Sequence, residues 1–217
     1  MRDLHVHTLF SSDSCTPMEA HAERALALGL ETVCFTDHVD FNPADYGYLF
    51  YQPDDFFAAF DALRARCAGR LELLAGMEFG ETHLYPEQLR ALARRPYDFV
   101  IGSVHWVDDV FPDSAVKQGI PAGEYFDRYW QVMLEMVRQG GFDALGHMDF
   151  PKRYYGELRW SEPVVREIFA RLLDAGAVIE INTSSLRKGL DEPMPGEALL
   201  ALYRDAGGRR EIGRAHV

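Results

Sequence analysis

The sequence has few cysteines, no long apolar run and fewer basic than acidic residues. Three cysteines among 217 residues predict no disulfide framework. No apolar run approaches the roughly 20 residues of a membrane-spanning helix, and the first residues become polar too early for a signal peptide. Lysine and arginine total 22 against 34 aspartates and glutamates, and the resulting charge of −12 argues against binding to a nucleic-acid backbone or a membrane surface. We therefore expect a cytoplasmic protein that binds neither.

Apolar residues are numerous enough to build the core of one domain. They make up 47% of the chain, and a length of 217 residues fits one domain better than two. Buried-strand patterns alternate with amphipathic helix patterns. Strands are predicted over 4–7, 31–36, 71–77, 97–103, 142–146 and 177–182, and helices over 17–29, 53–68, 86–94, 124–139, 161–176 and 197–206. This alternation predicts a parallel sheet covered by helices, either a barrel of the (β/α)8 type or an open sheet.

Histidine is concentrated where the predicted strands end. Glu78 ends the third strand, and Asp13 lies in the loop after the first. Five of the eight histidines lie at or just after the carboxyl ends of these strands: His5, His7, His38, His105 and His147. The carboxyl ends of barrel strands form the face on which such barrels build their active sites, so we expect these seven side chains to converge.

The pair His5 and His7 indicates a metal site. Residues two apart on a strand point the same way, about 6–7 Å apart along it, and two neutral imidazoles with a carboxylate bind a divalent transition metal. The pair alone could be accidental, but five histidines with Glu78 and Asp13 would be costly to bury without an ion. Seven ligands exceed one tetrahedral site, so two or three ions bridged by Glu78 are predicted. A ligand set without sulfur suits Zn, Mn or Fe.

Basic residues follow the fifth and sixth predicted strands. They are Lys152 and Arg153 after the fifth, and Arg187 and Lys188 after the sixth. Arginine is well shaped for a bidentate contact with phosphate. A plain solvated surface is the alternative interpretation for each of them.

Two aspartates accompany the histidines at the strand ends. Asp37 precedes His38, and Asp149 follows His147 by two residues. Either carboxylate could orient a metal-binding imidazole from behind. A capping or turn role is equally consistent with their positions.

Several motifs together resemble the PHP (polymerase and histidinol phosphatase) superfamily, and within it the histidinol-phosphatase branch. The resemblance covers essentially the whole chain. The general motifs are DLHVHT at 3–8, SDS at 12–14, TDH at 36–38, GMEFG at 76–80, GSVHW at 102–106 and GHMD at 146–149. The segment EINTSSLRK at 180–188, followed by PMP at 193–195, is more particular to the phosphatase branch.

The resemblance implies a distorted (β/α)7 TIM-like barrel with a trinuclear metal centre. The implied ligand sets are His5, His7 and Glu78 for one ion, Glu78, His105 and His147 for a second, and Asp13 with His38 for a third. The implied reaction is the hydrolysis of L-histidinol phosphate to L-histidinol and phosphate in histidine biosynthesis, by a metal-activated hydroxide. Arg153 and Arg187 are the expected phosphate contacts.

The end of the sequence departs from the family pattern. That pattern has a last strand ending in a motif of the Gly-Ser-Asp-Ala-His type, whose Asp and His would supply two further ligands, and no such motif occurs here. Residues 212–217 (IGRAHV) resemble a translated sequencing adapter, so we expect a PHP domain over 1–211, without its final strand, and a non-native tail over 212–217. A genuine short variant, with His216 as a substitute ligand, is the alternative. We expect the chain as written to bind metal incompletely and to have little phosphatase activity.

Three other functions are consistent with parts of the sequence. Another phosphoesterase on the same scaffold could act on a sugar phosphate or a nucleotide. A metal-dependent amidohydrolase also begins with His-x-His, but it usually uses a strand-end lysine where this chain has Glu78. A degenerate domain that only binds partners is the third possibility, and the seven intact ligands argue against it.

Overall fold

Parallel strands alternate with helices in the computed structural model, which describes residues 1–208. The strands are β1 (Arg2–Val6), β2 (Thr32–Phe35), β3 (His38–Val39), β4 (Glu72–Gly80), β5 (Phe99–Ser103), β6 (Ala144–Leu145) and β7 (Val178–Ile179). The helices are α1 (Met18–Ala27), α2 (Pro53–Cys67), α3 (Pro86–Leu92), α4 (Pro112–Lys117), α5 (Ala122–Gln139), α6 (Lys152–Tyr155), α7 (Glu162–Ala175), α8 (Ser184–Arg187) and α9 (Glu197–Asp205).

The strands form one curled parallel sheet. Its order is β1-β2-β4-β5-β6-β7, with β3 paired to β4. Within residues 1–208, β1 and β7 are the two ends of this path and share no ladder. The Nδ1 atom of His5 on β1 nevertheless lies 2.6 Å from Oε1 of Glu180, just after β7, so the sheet bends round until its ends meet. The predicted TIM-like barrel is thereby confirmed, and the described residues leave it open between β1 and β7.

The helices pack outside the sheet on two apolar layers. One layer covers β2 and β4 with α1 and α2, and the other covers β6 and β7 with α5, α7 and α9. Strand β2 is buried at every residue, as the continuous apolar pattern at 31–36 predicts for a central parallel strand. Among the described residues, no helix is both long and apolar enough to cross a membrane.

Strand lengths differ from prediction in two directions. The third predicted strand, 71–77, extends to Gly80 in β4 because it has β5 on one side and both β2 and β3 on the other. The sixth, predicted over 177–182, is reduced to Val178–Ile179, which within residues 1–208 forms a ladder with β6 alone. The short elements β3, α4, α6 and α8 were not predicted, since two to six residues are too few to show a period. Residues 209–211 of the predicted domain and the predicted tail at 212–217, with His216, lie outside the described residues.

Candidate metal centre

Glu78 lies at the centre of a buried cluster of five imidazoles. Its Oε2 atom faces three of them, at 3.1 Å from Nε2 of His5, 3.1 Å from Nε2 of His7 and 3.4 Å from Nε2 of His38. Its Oε1 atom faces the other two, at 2.8 Å from Nε2 of His147 and 3.4 Å from Nε2 of His105. The two oxygens of one carboxylate therefore serve two sets of histidines, as a bridging ligand requires.

The strands bring these histidines together through their register. His5 and His7 project to the same side at the end of β1, and their Nε2 atoms are 2.9 Å apart. Strand β3 pairs with β4 so that His38 lies opposite Glu78. The remaining two histidines follow the carboxyl ends of β5 and β6. Because parallel strands end at one edge, residues from five separate segments reach a single point.

Asp13 completes the group of seven predicted ligands from the more open side. Its Oδ1 atom lies 3.0 Å from Nδ1 of His7, and its Oδ2 atom lies 3.8 Å from Nε2 of His38. The Ser11 hydroxyl donates to Oδ1 at 2.6 Å, which fixes the rotamer of the carboxylate. The side chain of Asp13 is 34% exposed, whereas that of Glu78 is 1% exposed. Asp13 therefore stands where the cluster meets solvent.

The donor atoms of this cluster fit divalent ions. Two imidazole nitrogens 2.9 Å apart, as in His5 and His7, must either share a proton or direct both lone pairs at one cation. Nitrogen and carboxylate oxygen donors without sulfur suit Zn, Mn and Fe alike. Three groups place one ligand atom per residue within 4.8 Å of one another: His5, His7 and Glu78; His7, Asp13 and His38; and His38, Glu78 and His105. We call the seven predicted ligands the metal centre.

In the apoprotein, the side chains of the metal centre shift one another's pKa values. Burial opposes a charge on His7, but hydrogen bonds to Asp13 and Glu78 raise its pKa to about 9. Burial likewise opposes a charge on His105, and the neighbouring Glu78 raises that pKa to about 9. Burial also disfavours ionised Glu78, yet the surrounding imidazoles hold its pKa well below the usual range. Burial lowers the pKa of His147. His7 and His105 therefore tend to hold a proton in the apoprotein, whereas His147 tends to be neutral.

The stabilisation that metal provides should increase with pH. Because the folded pKa of His7 is raised from 6.5 to about 9, the stability it contributes to the apoprotein is fully present below pH 6.5 and lost as pH rises through 9. Metal must displace that proton, so binding tightens over the same window. The difference in Tm between stoichiometrically loaded protein and chelator-treated protein should therefore widen from pH 6.5 to pH 9.

A histidine outside the metal centre provides the control for this titration. His83 is partly buried, and the charged groups near it are Glu135 and Arg128 rather than the ligands. Differential scanning fluorimetry of His83→Gln should show the same widening as the unsubstituted chain, and His7→Gln should show less. A difference in Tm that stays constant or shrinks with pH would contradict the competition between metal and the proton on His7.

Three buried carboxylates surround the metal centre. Asp40 lies 3.5 Å from Nδ1 of His38, on the side away from Glu78. Glu81 accepts the backbone N–H groups of His105, at 2.6 Å, and of the next residue, at 3.0 Å. Asp37 accepts the backbone and side-chain donors of Thr8, the residue after His7. Asp37 therefore holds the backbone directly after His7 through a contact between two separate segments.

A cavity of about 280 Å³ opens above the metal centre. All seven predicted ligands lie in its wall, together with Tyr46, Phe150 and Asn182. Two cations also line it, Arg153 from α6 and Lys188 from the end of α8. A negatively charged ligand in this cavity would therefore meet positive charge opposite the metal centre.

The four basic candidates occupy different environments. Arg153 lines the cavity, and its guanidinium lies 5.2 Å from the centre of the Phe150 ring. Arg187 is exposed on α8 and is not among the residues that line the cavity. Lys152 is 4% exposed and lies 2.7 Å from Asp149, so it is not the solvated surface residue of the alternative interpretation, and it is not among the residues that line the cavity. Asp149 also accepts the backbone N–H of Gly196, which assigns this aspartate to loop structure.

A buried cluster of histidines and carboxylates at the carboxyl edge of a TIM-like sheet is the arrangement of a metal-dependent hydrolase. The comparison with family descriptions agrees with this class. Residues 3–184 match the PHP domain, and the chain belongs to that family.

Curated and solved relatives agree with one another. A probable histidinol-phosphatase of Deinococcus radiodurans is 30% identical over 94% of this chain and 82% of its own length. One of Clostridium acetobutylicum is 29% identical over 95% of this chain and 82% of its own. The crystal structure of histidinol phosphate phosphatase from Lactococcus lactis, complexed with zinc, L-histidinol and phosphate, superposes with a TM-score of 0.76. It is 24% identical, and the match covers 99% of this chain and 84% of that chain, so it supports the fold.

Sequence reasoning did not find several buried residues that contact the metal centre. Glu180, Asp40 and Glu81 lie on segments with no local signal beyond a charged residue near a strand end. Ser103 is a fourth, and its hydroxyl donates to Oε1 of Glu78 at 2.6 Å. Glu180 and Ser103 stand inside the motifs EINTSSLRK and GSVHW, so membership of a family motif was the signal that could have found them, and Ser103 also lies two residues before His105.

Proposed function

We propose that this chain hydrolyses L-histidinol phosphate to L-histidinol and phosphate with two or three divalent ions at the metal centre. The observation that supports this most directly is the convergence of five imidazoles on Glu78, with Asp13 beside them, at the floor of a cavity with Arg153 in its wall. When bound, the ions activate the attacking water and stabilise charge on the phosphoryl oxygens. His5, His7, Asp13, His38, Glu78, His105 and His147 are the proposed ligands.

Arg153 is the better placed of the two proposed phosphate contacts. Its Nη2 atom donates to Ser184 Oγ at 2.8 Å, which holds the guanidinium at the cavity wall. A guanidinium carries five N–H donors in a planar fork, so its contact with Ser184 leaves other donors for phosphate oxygens. Lys188 adds a second positive charge to the same wall. Arg187, which is exposed on α8, is the second proposed phosphate contact.

A panel of phosphomonoesters tests the reaction itself. L-histidinol phosphate, a sugar phosphate, a nucleoside monophosphate and p-nitrophenyl phosphate would be compared with protein loaded with Zn²⁺, Mn²⁺ or Fe²⁺. We expect the highest kcat/KM for L-histidinol phosphate, with chelation abolishing turnover. Glu78→Gln sets the background rate. Equal rates across the panel would contradict L-histidinol phosphate as the preferred substrate.

Replacing Arg153 should chiefly raise KM. A hydrogen bond to a charged group contributes about 1.5–3 kcal/mol, so Arg153→Ala should raise KM for L-histidinol phosphate by roughly 10- to 100-fold. Arg187→Ala should have a smaller effect, because Arg187 does not line the cavity. Arg159→Ala is the matched control, since Arg159 is exposed and bound to Glu157. Steady-state kinetics check this, and unchanged KM in both the Arg153 and Arg187 variants would remove the phosphate role.

The remaining features of the proposal concern location and partners. We expect a small-molecule phosphate ester as the ligand and neither nucleic acid nor membrane as a partner, because acidic residues outnumber basic ones by 34 to 22. A cytoplasmic location agrees with three cysteines that form no disulfide among the described residues.

A further inference from the structure

Glu180 places a buried carboxylate behind the metal centre. It directly follows β7 and is 3% exposed. Its Oε1 atom lies 2.6 Å from Nδ1 of His5 and accepts the Asn182 side-chain amide at 3.1 Å. Its Oε2 atom accepts the backbone N–H of His147 at 2.9 Å. One carboxylate thus contacts the segments that carry His5, His147 and Asn182, at the ends of β1, β6 and β7.

The two ring nitrogens of His5 face opposite partners. Nε2 lies 2.9 Å from Nε2 of His7 and 3.1 Å from Glu78, inside the metal centre. Nδ1 points the other way, to Glu180. A metal-binding imidazole commonly donates its second N–H to a carboxylate, which fixes both the tautomer and the ring orientation and makes the binding nitrogen more basic. The contact between His5 and Glu180 has this geometry.

We propose that Glu180 is a positioning residue, which holds His5 in the Nδ1–H form so that the Nε2 lone pair faces the ion. The same contact connects β1 to β7, which share no ladder within residues 1–208. This inference rests on the proposal that His5 binds metal.

The hydrogen bonds around Glu180 require a carboxylate at this position. Three donors meet its two oxygens: the ring of His5, the amide of Asn182 and the backbone of His147. Glutamine has the same shape but only one acceptor atom, so its amide group would oppose one of these donors. Aspartate keeps the charge but is one methylene shorter, so it should reach fewer of the three donors. The two substitutions therefore remove different parts of the interaction.

Metal titration of purified, chelator-treated protein with Zn²⁺ tests the proposal. Glu180→Gln should weaken one binding step by about 10- to 100-fold while the number of ions at saturation stays unchanged. Glu180→Asp should also weaken it, and His5→Ala should lose an ion even at saturation. Glu192→Gln is the control, because Glu192 is a partly exposed carboxylate that contacts Lys152 rather than a predicted ligand.

A spectroscopic readout separates positioning from a general structural role. In zinc-loaded protein, the Nδ1 proton of His5 should resonate far downfield because it is bonded to a carboxylate, and Glu180→Gln should move it upfield while Glu192→Gln leaves it in place. Circular dichroism and thermal melts show which variants fold. If Glu180→Gln does not fold, Glu180→Asp serves for both measurements.

Three results would overturn the inference in distinguishable ways. Unchanged Zn²⁺ affinity in both folded Glu180 variants would remove the positioning role. Loss of an ion at saturation in Glu180→Gln, as in His5→Ala, would make Glu180 a ligand instead. Full metal content in His5→Ala would overturn the ligand assignment in the proposed function, on which this inference rests.

Discussion

Glu78→Gln should remove both metal binding and turnover more completely than any other single substitution at the site. Glutamine has almost the same shape but offers one neutral acceptor in place of two anionic oxygens. Five imidazoles lie within 3.4 Å of this carboxylate, so its loss leaves their Nε2 atoms without the charge that organises them. Metal ions contribute several kcal/mol to a phosphoryl-transfer transition state, and 1.36 kcal/mol corresponds to tenfold, so we expect kcat/KM to fall by about 10³-fold or more.

Metal analysis and kinetics measure this result together. Inductively coupled plasma mass spectrometry should show the loss of at least one ion per chain in Glu78→Gln relative to the unsubstituted protein. Glu72→Gln is the matched control, since Glu72 begins the same strand, is exposed, and hydrogen-bonds Thr32 far from the metal centre. Full metal content in folded Glu78→Gln would show that this carboxylate is not the bridge.

Lys152→Met should destabilise the fold more than any surface substitution. Lys152 is 4% exposed, and its ammonium group lies 2.7 Å from Asp149, 3.0 Å from Glu192 and 2.8 Å from the carbonyl oxygen of Pro193. Asp149 is fully buried, so removal of its cation leaves an uncompensated charge in the interior. Breaking a buried ion pair in this way costs about 3–5 kcal/mol of unfolding free energy.

Urea denaturation followed by fluorescence checks the size of this effect. An exposed pair on α4, between Lys117 and Asp113, provides the control. Lys117→Met should cost about 0.5 kcal/mol or less, because exposed ion pairs of this kind contribute little. The double variant Asp149→Asn with Lys152→Met should recover part of the loss, since it removes both charges. Equal unfolding free energies for the two lysine variants would contradict a larger stabilising role for the buried ion pair.

Local pattern was sufficient to predict the order of the longer elements and which seven residues cluster. Strand periodicity places His5 and His7 on one face, and alternation of strands and helices places the carboxyl ends of parallel strands at one edge. These two rules predicted that all seven ligands lie in one region, and the structure places the other six around Glu78. The element boundaries were less accurate, because a strand such as β7 ends where its neighbour ends.

Charge next to a predicted ligand was not sufficient to predict a role. Asp37, Asp149 and Lys152 adjoin or nearly adjoin predicted site residues. Asp37 nevertheless binds Thr8, and Asp149 binds Gly196 and Lys152. The direction of a side chain in a loop depends on the turns of that loop, and neither helix nor strand periodicity predicts those turns. Arg153, one residue from Lys152, lines the cavity instead, because adjacent residues of a helix such as α6 point in different directions.

The amino-acid sequence by itself determined the parallel α/β architecture, the seven candidate ligands and their chemistry, since residue type and strand spacing are local properties. Only the tertiary structure decided that Glu180 lies behind His5, that Glu78 faces histidines with both oxygens, and that Lys152 is buried while Arg153 lines the cavity. These contacts depend on how far the sheet curls. The curl sums small strand twists over six paired strands from β1 to β7, so it belongs to the whole sheet rather than to any one segment.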